Sequence, residues 1–306
     1  MPTYAPDSNN LKLAVLIDAE NVPRNCIKSV MEEVAIYGTP TIKRIYGDWT
    51  NPSIAGWKHS LLENAITPIQ QYGYTTGKNS SDSAMIIDAM DILYSEKTDG
   101  FVIVSSDSDF TRLAIRLREA GQRVVGIGER KTPSAFIAAC DKFTYIEVIR
   151  ARSESVRRDN DEAQNEQKKK ALPEPEEAPH EQDEARAEPE DPREDTKSRK
   201  GGRGDAKPRE GARGGEGAKP RPSKVPNMIV QLIANSVADL SGDSGVVFMG
   251  ELGNLILKKQ PDFDHRNFGY MSLTSMIKSI DRFEIDFRQT TDPNIKHVFV
   301  RDKEAT

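Results

Sequence analysis

The sequence is poor in cysteine and contains no long apolar run. Among its 306 residues, only Cys26 and Cys140 are cysteines, which excludes a disulfide framework and a multi-cysteine zinc site. No apolar stretch approaches the roughly 18 residues that a membrane span requires. The first residues also lack the basic and apolar regions of a secretion signal. We therefore expect a cytoplasmic protein with no membrane partner.

Apolar and aromatic residues are also scarce. Hydrophobic residues make up 36% of the chain and charged residues 30%, whereas globular proteins average roughly 45–50% and about 25%. This composition indicates that part of the chain does not fold. The net charge of −5 excludes a protein that is basic throughout and binds nucleic acid by charge alone.

The shortage of apolar residues is concentrated between 150 and 224. Residues 151–196 carry 16 acidic and 8 basic side chains, whereas residues 197–224 carry 3 acidic and 10 basic ones and many glycines. Such a segment cannot bury enough apolar surface to fold, so we expect a disordered linker. It is either a solubilising spacer or an Arg/Gly-rich segment that binds an RNA backbone. The RNA-binding candidates in it are Arg199, Arg203 and Arg213.

Residues 11–149 alternate β-rich runs with amphipathic helical patterns, which is typical of an α/β domain with a parallel sheet. We predict helices between the strands and a three-layer architecture. The predicted strands are 12–17, 41–46, 67–71, 101–105, 123–127 and 144–148.

Residues 225–302 form a different pattern. Apolar residues at helical spacing predict three helices, near 228–240, 247–259 and 268–280. Two alternating runs follow, at 283–287 and 297–300, and predict a β-hairpin. This combination favours a small winged-helix-like domain.

Acidic residues follow the predicted strands of the first domain. Asp18 ends the first strand, Asp107 and Asp109 follow the fourth, and Asp82 and Asp88 lie on the helix before it. Ligands of parallel α/β sheets collect at the carboxyl ends of the strands, and carboxylates there suit Mg²⁺ or Mn²⁺. Each acid also has an ordinary explanation as a turn residue, a helix N-cap or a solvated helix face.

Three motifs in this region resemble the NYN domain, a PIN-like nuclease group. They are Ile17-Asp18-x-x-Asn21, Lys78-x-x-x-Asp82-x-x-x-x-x-Asp88 and Val104-Ser105-Ser106-Asp107-Ser108-Asp109-Phe110. The resemblance implies a PIN-like fold over 11–149 and a metal-dependent ribonuclease. It implies Asp18, Asp82, Asp107 and Asp109 as metal ligands, with Asn21 in support and Asp88 as a further catalytic candidate. The sequence departs from the family at Ser105-Ser106 and at Asn79-Ser80-Ser81, where the family often has a glycine.

The C-terminal region resembles the OST-HTH, or LOTUS, domain. The pattern that carries the resemblance is Phe268-Gly269-Tyr270-x-x-Leu273-x-x-Met276-Ile277, followed by a run that ends in Val298-Phe299-Val300. The resemblance implies a module over 225–302 that binds RNA or a protein partner and has no catalytic residues. Candidate RNA contacts are Lys258 and Lys259 here, and Lys43, Arg44 and Lys78 near the acidic residues.

Three functions are consistent with these features. The first is an endoribonuclease that uses Mg²⁺ or Mn²⁺, and the second is a non-catalytic RNA-binding adaptor. The third is another acidic α/β site, either TOPRIM-like or of a phosphotransfer domain. TOPRIM domains need a glutamate directly after the first strand, whereas Glu20 lies two residues past Asp18. The sequence leaves the oligomeric state open, with a homo-oligomer as one option.

Overall fold

The computed structural model describes residues 11–72, 80–156, 222–242, 245–289 and 296–305. The described residues belong to one compact unit. The predicted linker segment falls almost wholly outside the described residues, and so do Lys78, Arg199, Arg203 and Arg213. Among the described residues, no helix combines the length and the apolar character that crossing a bilayer requires.

The N-terminal domain alternates strands and helices along the chain. Its strands are β1 (Lys12–Asp18), β2 (Thr39–Gly47), β3 (Thr67–Gln70), β4 (Gly100–Val104), β5 (Arg123–Gly128) and β6 (Lys142–Tyr145). Its helices are α1 (Ile27–Tyr37), α2 (Lys58–Asn64), α3 (Ser80–Tyr94), α4 (Thr111–Glu119), α5 (Ser134–Ala139) and α6, residues 146–156.

All six strands pair in parallel in the order β3-β2-β1-β4-β5-β6. Successive side chains of a strand point to opposite faces, so Leu13, Val15 and Ile17 pack on one side and Ala14 and Leu16 on the other. The first side is covered by α1, α2 and α6, and the second by α3, α4 and α5. This arrangement is the predicted three-layer α/β fold.

The last strand of the sheet differs from its prediction. The sequence predicts a strand at 144–148, whereas β6 covers Lys142–Tyr145 and the chain turns helical at residue 146. The helix buries Ile146 and Ile149, three residues apart, against the same face of the sheet. A strand would have sent Ile146 and Val148 to one face but Ile149 to the other, so helical spacing accounts better for the burial.

The C-terminal domain has three helices and a small antiparallel sheet. The helices are α7 (Asn227–Leu240), α8 (Met249–Lys259) and α9 (Leu273–Lys278), and the strands are β7 (Val247–Phe248), β8 (Phe283–Gln289) and β9 (Lys296–Asp302). The sheet order is β7-β9-β8, so a short third strand joins the predicted hairpin.

The third helix is shorter than predicted. The sequence predicts it over 268–280, whereas α9 starts after Ser272, which caps it through a capping box with Ser275. Gly269 lies upstream at φ 79°, a left-handed conformation that glycine adopts without strain. The shortened helix still buries Met276 and Ile277 in the core.

The C-terminal domain contacts the N-terminal domain through the segment 261–266. The Phe143 amide of edge strand β6 donates to the Pro261 carbonyl at 2.9 Å, and the buried Lys142 ammonium donates to the Phe263 carbonyl at 2.8 Å. Arg266 forms two hydrogen bonds, 2.6 and 2.8 Å long, with the buried carboxylate of Glu33 on α1. These contacts cover part of a sheet edge that would otherwise offer unpaired backbone groups.

Candidate active site

Strand order brings the two predicted acidic segments together. β1 and β4 are neighbours at the centre of the sheet, where the chain passes from one half of the sheet to the other. Ile17 pairs with Val104, so Asp18 and Ser105 leave the sheet side by side. Such a switch point opens a crevice beyond the carboxyl ends of the strands, and the acidic residues lie there.

Asp18 is buried and held by several donors. Its Oδ2 accepts from the Ser105 hydroxyl and from the Asn21 side-chain amide, both at 2.8 Å. Its Oδ1 accepts from the Glu20 backbone amide at 3.0 Å. Asn21 thus contacts the Asp18 carboxylate directly. Ser105 was noted in the sequence only as part of a departure from the family pattern, yet it fixes this carboxylate.

Asp107 and Asp109 lie in the turn that follows β4. Asp107 caps the short 3₁₀ turn Ser108–Phe110, because its Oδ1 accepts from the Asp109 amide at 2.9 Å. The Asp107 amide itself donates to the Ser105 hydroxyl at 3.1 Å. The capping role considered in the sequence is therefore present, and it engages one oxygen of this carboxylate.

Asp82 lies in the first turn of α3 and is buried. Asp82, Asp107 and Asp109 each place a carboxylate oxygen within 4.8 Å of those of the other two. Burial, and then the negative charges of Asp18, Asp107, Glu20 and Asp109, raise the pKa of Asp82 to about 7. Three carboxylates this close repel one another unless a proton or a cation neutralises them.

The donor set fits a hard divalent cation. Mg²⁺ and Mn²⁺ prefer oxygen ligands and bind through a few carboxylates completed by water and phosphate oxygens. Asp82, Asp107 and Asp109 supply such oxygens at one place, and one of the three residues is exposed. Asp18 is not one of the three, but the Ser105 hydroxyl connects its carboxylate to the Asp107 amide, and its charge raises the pKa of Asp82.

Asp88 and two predicted RNA contacts lie away from this cluster. The Asp88 carboxylate accepts from the Arg44 guanidinium and from the Tyr46 hydroxyl. Lys43 donates to the Asn64 carbonyl at 2.6 Å. Asp88 and Arg44 therefore neutralise each other on the β2 side of α3, and the structure does not group Asp88 with the three clustered acids.

The predicted cations of the C-terminal domain lie at the end of α8. Lys258 is exposed, and Lys259 forms an ion pair with Asp239 of α7. Lys258 also lines a cavity whose wall includes Arg118 and Arg123 of the N-terminal domain.

The outer face of the C-terminal sheet carries an aromatic group that sequence reasoning missed. The rings of Phe248, His297 and Phe299 lie with centroids 5.3 to 6.4 Å apart. The Arg288 guanidinium stacks over Phe299, 4.5 Å from its centroid. Strand alternation from Val300, which is buried, could have placed His297 and Phe299 on the outer face. The pairing of Phe248 with Phe299 depends on the short strand β7, which carries no strong sequence signal.

Comparison with known proteins agrees with the two resemblances. Residues 12–147 match the NYN domain, and residues 220–295 match the OST-HTH/LOTUS domain. The chain therefore combines an NYN domain, of the PIN-like nuclease group, with an OST-HTH/LOTUS domain. Together these domains support a role in RNA cleavage or RNA binding.

Two solved structures of proteins without assigned function are also similar to parts of this chain. One, from Vibrio parahaemolyticus, is 20% identical, covers 46% of this chain and 95% of its own, and has a TM-score of 0.39. The other, from Nitrosomonas europaea, is 26% identical, covers 33% and 91%, and has a TM-score of 0.24. No curated protein matches the chain.

Proposed function

We propose that the protein is a metal-dependent endoribonuclease whose active centre is formed by Asp82, Asp107 and Asp109. The observation that carries the proposal is the approach of these three carboxylates to within 4.8 Å of one another at the switch point of an NYN domain. Negative charge gathered at a sheet edge is unfavourable on its own. A bound Mg²⁺ or Mn²⁺ would offset it.

Each residue of the site has a separate task in this proposal. Asp82, Asp107 and Asp109 would hold the metal, which when bound polarises a phosphoryl oxygen and lowers the pKa of water. Asp18 is held by hydrogen bonds from Ser105 and Asn21, and its negative charge would add to the attraction of the three ligands for a cation. The 3₁₀ turn that Asp107 caps holds Asp107 and Asp109 at adjacent positions, so the two ligands need little reordering to bind the ion.

The test is cleavage of an unstructured RNA by the full chain with Mg²⁺, with Mn²⁺ and with EDTA. We expect cleavage only with a metal. Asp82→Asn and Asp107→Asn should each reduce the rate by at least about 100-fold, because a lost ligand removes part of the charge stabilisation and each 1.4 kcal/mol is tenfold in rate.

Asp91→Asn is the matched control, because Asp91 is an exposed carboxylate on the same helix as Asp82. It should cleave at the wild-type rate. Equal cleavage by wild type and Asp107→Asn would assign the activity to a contaminant and refute the proposal.

A second candidate function is a non-catalytic RNA-binding adaptor. The observation that favours it is the aromatic group of Phe248, His297 and Phe299 with Arg288 above it, since nucleic acid bases stack on exposed aromatic rings. The adaptor would bind single-stranded RNA without cutting it under any metal condition. Phe299→Ala should then weaken binding about tenfold, because one stacked base contributes roughly 1–3 kcal/mol.

A further inference from the structure

A cavity of about 460 Å³ lies where the two domains meet, away from the acidic cluster. Its wall combines residues of α4, β5, α5 and the segment before β6 with residues of α8 and the segment after it. The polar and charged residues that line it are Arg118, Arg123 and Asp141 from the N-terminal domain, and Asn254 and Lys258 from the C-terminal domain. The cavity is therefore complete only when both domains are in contact.

The cavity is positively charged. Of the described residues that line it, three are cationic and one, Asp141, is acidic. Asp141 is engaged by Arg118, whose Nε lies 2.9 Å from the Asp141 carboxylate. This ion pair orients Arg118 and compensates its charge, so the remaining positive charge comes from Arg123 and Lys258.

Arg123 and Lys258 form no side-chain ion pair within the described parts of the chain, and both are exposed. Both residues line the cavity, and a guanidinium together with an ammonium is a donor combination that proteins use for phosphate, because both make charge-assisted hydrogen bonds to its oxygens. The volume lies within the 300–1,000 Å³ that is usual for small-molecule sites.

The cavity lies at the amino ends of the sheet strands, whereas the acidic residues lie at the carboxyl ends. Arg123 begins β5 and Asp141 immediately precedes β6, so both mark the amino ends of strands. Asp18 is the last residue of β1 and Asp107 follows β4, so both lie at carboxyl ends. A six-residue strand spans roughly 20 Å, so a ligand in the cavity cannot also be bound at the acidic cluster unless it is a long chain.

We infer that this cavity is a binding site for a phosphoryl group, supplied either by a free nucleotide or by the backbone of an RNA strand. Arg123 and Lys258 hold the phosphoryl oxygens, and Arg118 lines the site with its position fixed by Asp141. The inference does not depend on cleavage at the acidic cluster. A ligand that touches residues of both domains also stabilises their contact, by the linkage between binding and folding.

The experiment measures binding to the full chain by calorimetry in EDTA, so that no metal bridges a phosphate to the acidic cluster. The probes are AMP and a single-stranded oligouridylate. We expect saturable binding of at least one probe. Arg123→Gln and Lys258→Gln should each weaken it about tenfold, because each removes a charged donor to phosphate.

Lys97→Gln is the matched control, since Lys97 is an exposed lysine after α3 and does not line the cavity. It should bind like wild type. Loss of AMP binding in the two cavity variants identifies a nucleotide site, whereas loss of oligouridylate binding alone identifies an RNA backbone site. No binding of either probe, or equal binding by wild type and both cavity variants, would overturn the inference. RNA cleavage by the same variants, assayed with Mn²⁺, reports separately on the acidic cluster.

Discussion

Asp82 is the residue whose properties depend most on its neighbours. Its burial, and then the charges of four nearby carboxylates, raise its pKa to about 7 in the metal-free protein. An unfolded chain has no such cluster, so Asp82 would regain a pKa near 3.8 there. Between these two values the folded protein binds a proton that the unfolded protein releases. Asp82 therefore links the stability of the metal-free protein to pH.

The first prediction follows from this linkage. The pKa of Asp82 is higher in the folded protein than in the unfolded chain. Its contribution to the free energy of unfolding is therefore fully present below about pH 4 and is lost as the pH rises through 7. In EDTA, wild type should lose about 2 kcal/mol of unfolding free energy relative to Asp82→Asn between pH 5 and pH 7.5. Urea unfolding of both proteins at the two pH values measures this difference. Parallel pH profiles for the two proteins would contradict the raised pKa.

Asp88 shows what helical geometry adds to a sequence motif. Asp82 and Asp88 are six residues apart on α3, and at about 100° per residue they point roughly 240° around the helix from each other. One of them can face the sheet edge, but both cannot. The motif spacing alone suggested a shared site, whereas the helix directs Asp88 to Arg44 and Tyr46.

The second prediction separates Asp88 from the metal ligands. Asp88→Ala leaves the Arg44 guanidinium and the Tyr46 hydroxyl without their shared acceptor, which should cost about 1–3 kcal/mol of stability. Mn²⁺ binding, measured by calorimetry, should be unchanged. Asp107→Asn should give the reverse result, with weakened Mn²⁺ binding and a smaller change in stability. Loss of Mn²⁺ binding in a folded Asp88→Ala protein would instead make Asp88 a ligand.

At the scale of elements, buried strands were the easiest features to predict. β1 is apolar from Leu13 to Ile17 and β4 has no polar side chain, and every residue of both strands is buried except Lys12. Strand β6 was predicted wrongly because its sequence, Lys-Phe-Thr-Tyr, mixes polar and apolar residues. Its Lys142 is buried against the carbonyl of Phe263, 121 residues away, and no local pattern reports such a partner.

The third prediction concerns the packing of β5 against Ser105, the residue whose hydroxyl binds Asp18. A Cβ atom at Gly128 would lie 2.6 Å from the Ser105 carbonyl oxygen and 2.7 Å from the Thr132 hydroxyl. Gly128→Ala should therefore displace the end of β4, where Ser105 holds Asp18. Overpacking of this kind costs about 1–3 kcal/mol, and we expect RNA cleavage to fall as well. Thermal unfolding and the cleavage assay measure the two effects.

Gly253→Ala is the control for that substitution. Gly253 lies inside α8, where an added Cβ meets only Leu273 Cδ2 at 3.4 Å, an ordinary contact. Alanine stabilises a helix interior relative to glycine by about 0.5–1 kcal/mol, so the same exchange should here raise the melting temperature. Destabilisation by both substitutions to the same extent would argue against a specific clash at Gly128.

For the whole molecule, the sequence predicted two domains at the two ends of a charged linker and gave no indication that they touch. The contact includes Arg266, which forms ion pairs with both Glu33 and Asp264, and Glu33 is 233 residues away in the chain. No pattern in the sequence connects Arg266 with Glu33. The fold buries the Glu33 carboxylate. A buried carboxylate needs a charged donor, and Arg266 supplies it.

The last prediction tests this contact between domains. Arg266→Ala would leave Glu33, which is 3% exposed in its side chain, without its main cationic partner, and breaking a buried pair in this way costs about 3–5 kcal/mol. We expect a lower melting temperature and a larger radius of gyration in small-angle scattering, because the C-terminal domain separates from α1 and β6. Arg301→Ala is the control, since its ion pair with Glu284 is solvent-exposed and should contribute less than about 1 kcal/mol. If both variants kept the wild-type radius and melting temperature, the ion pair between Arg266 and Glu33 would not be what holds the domains together.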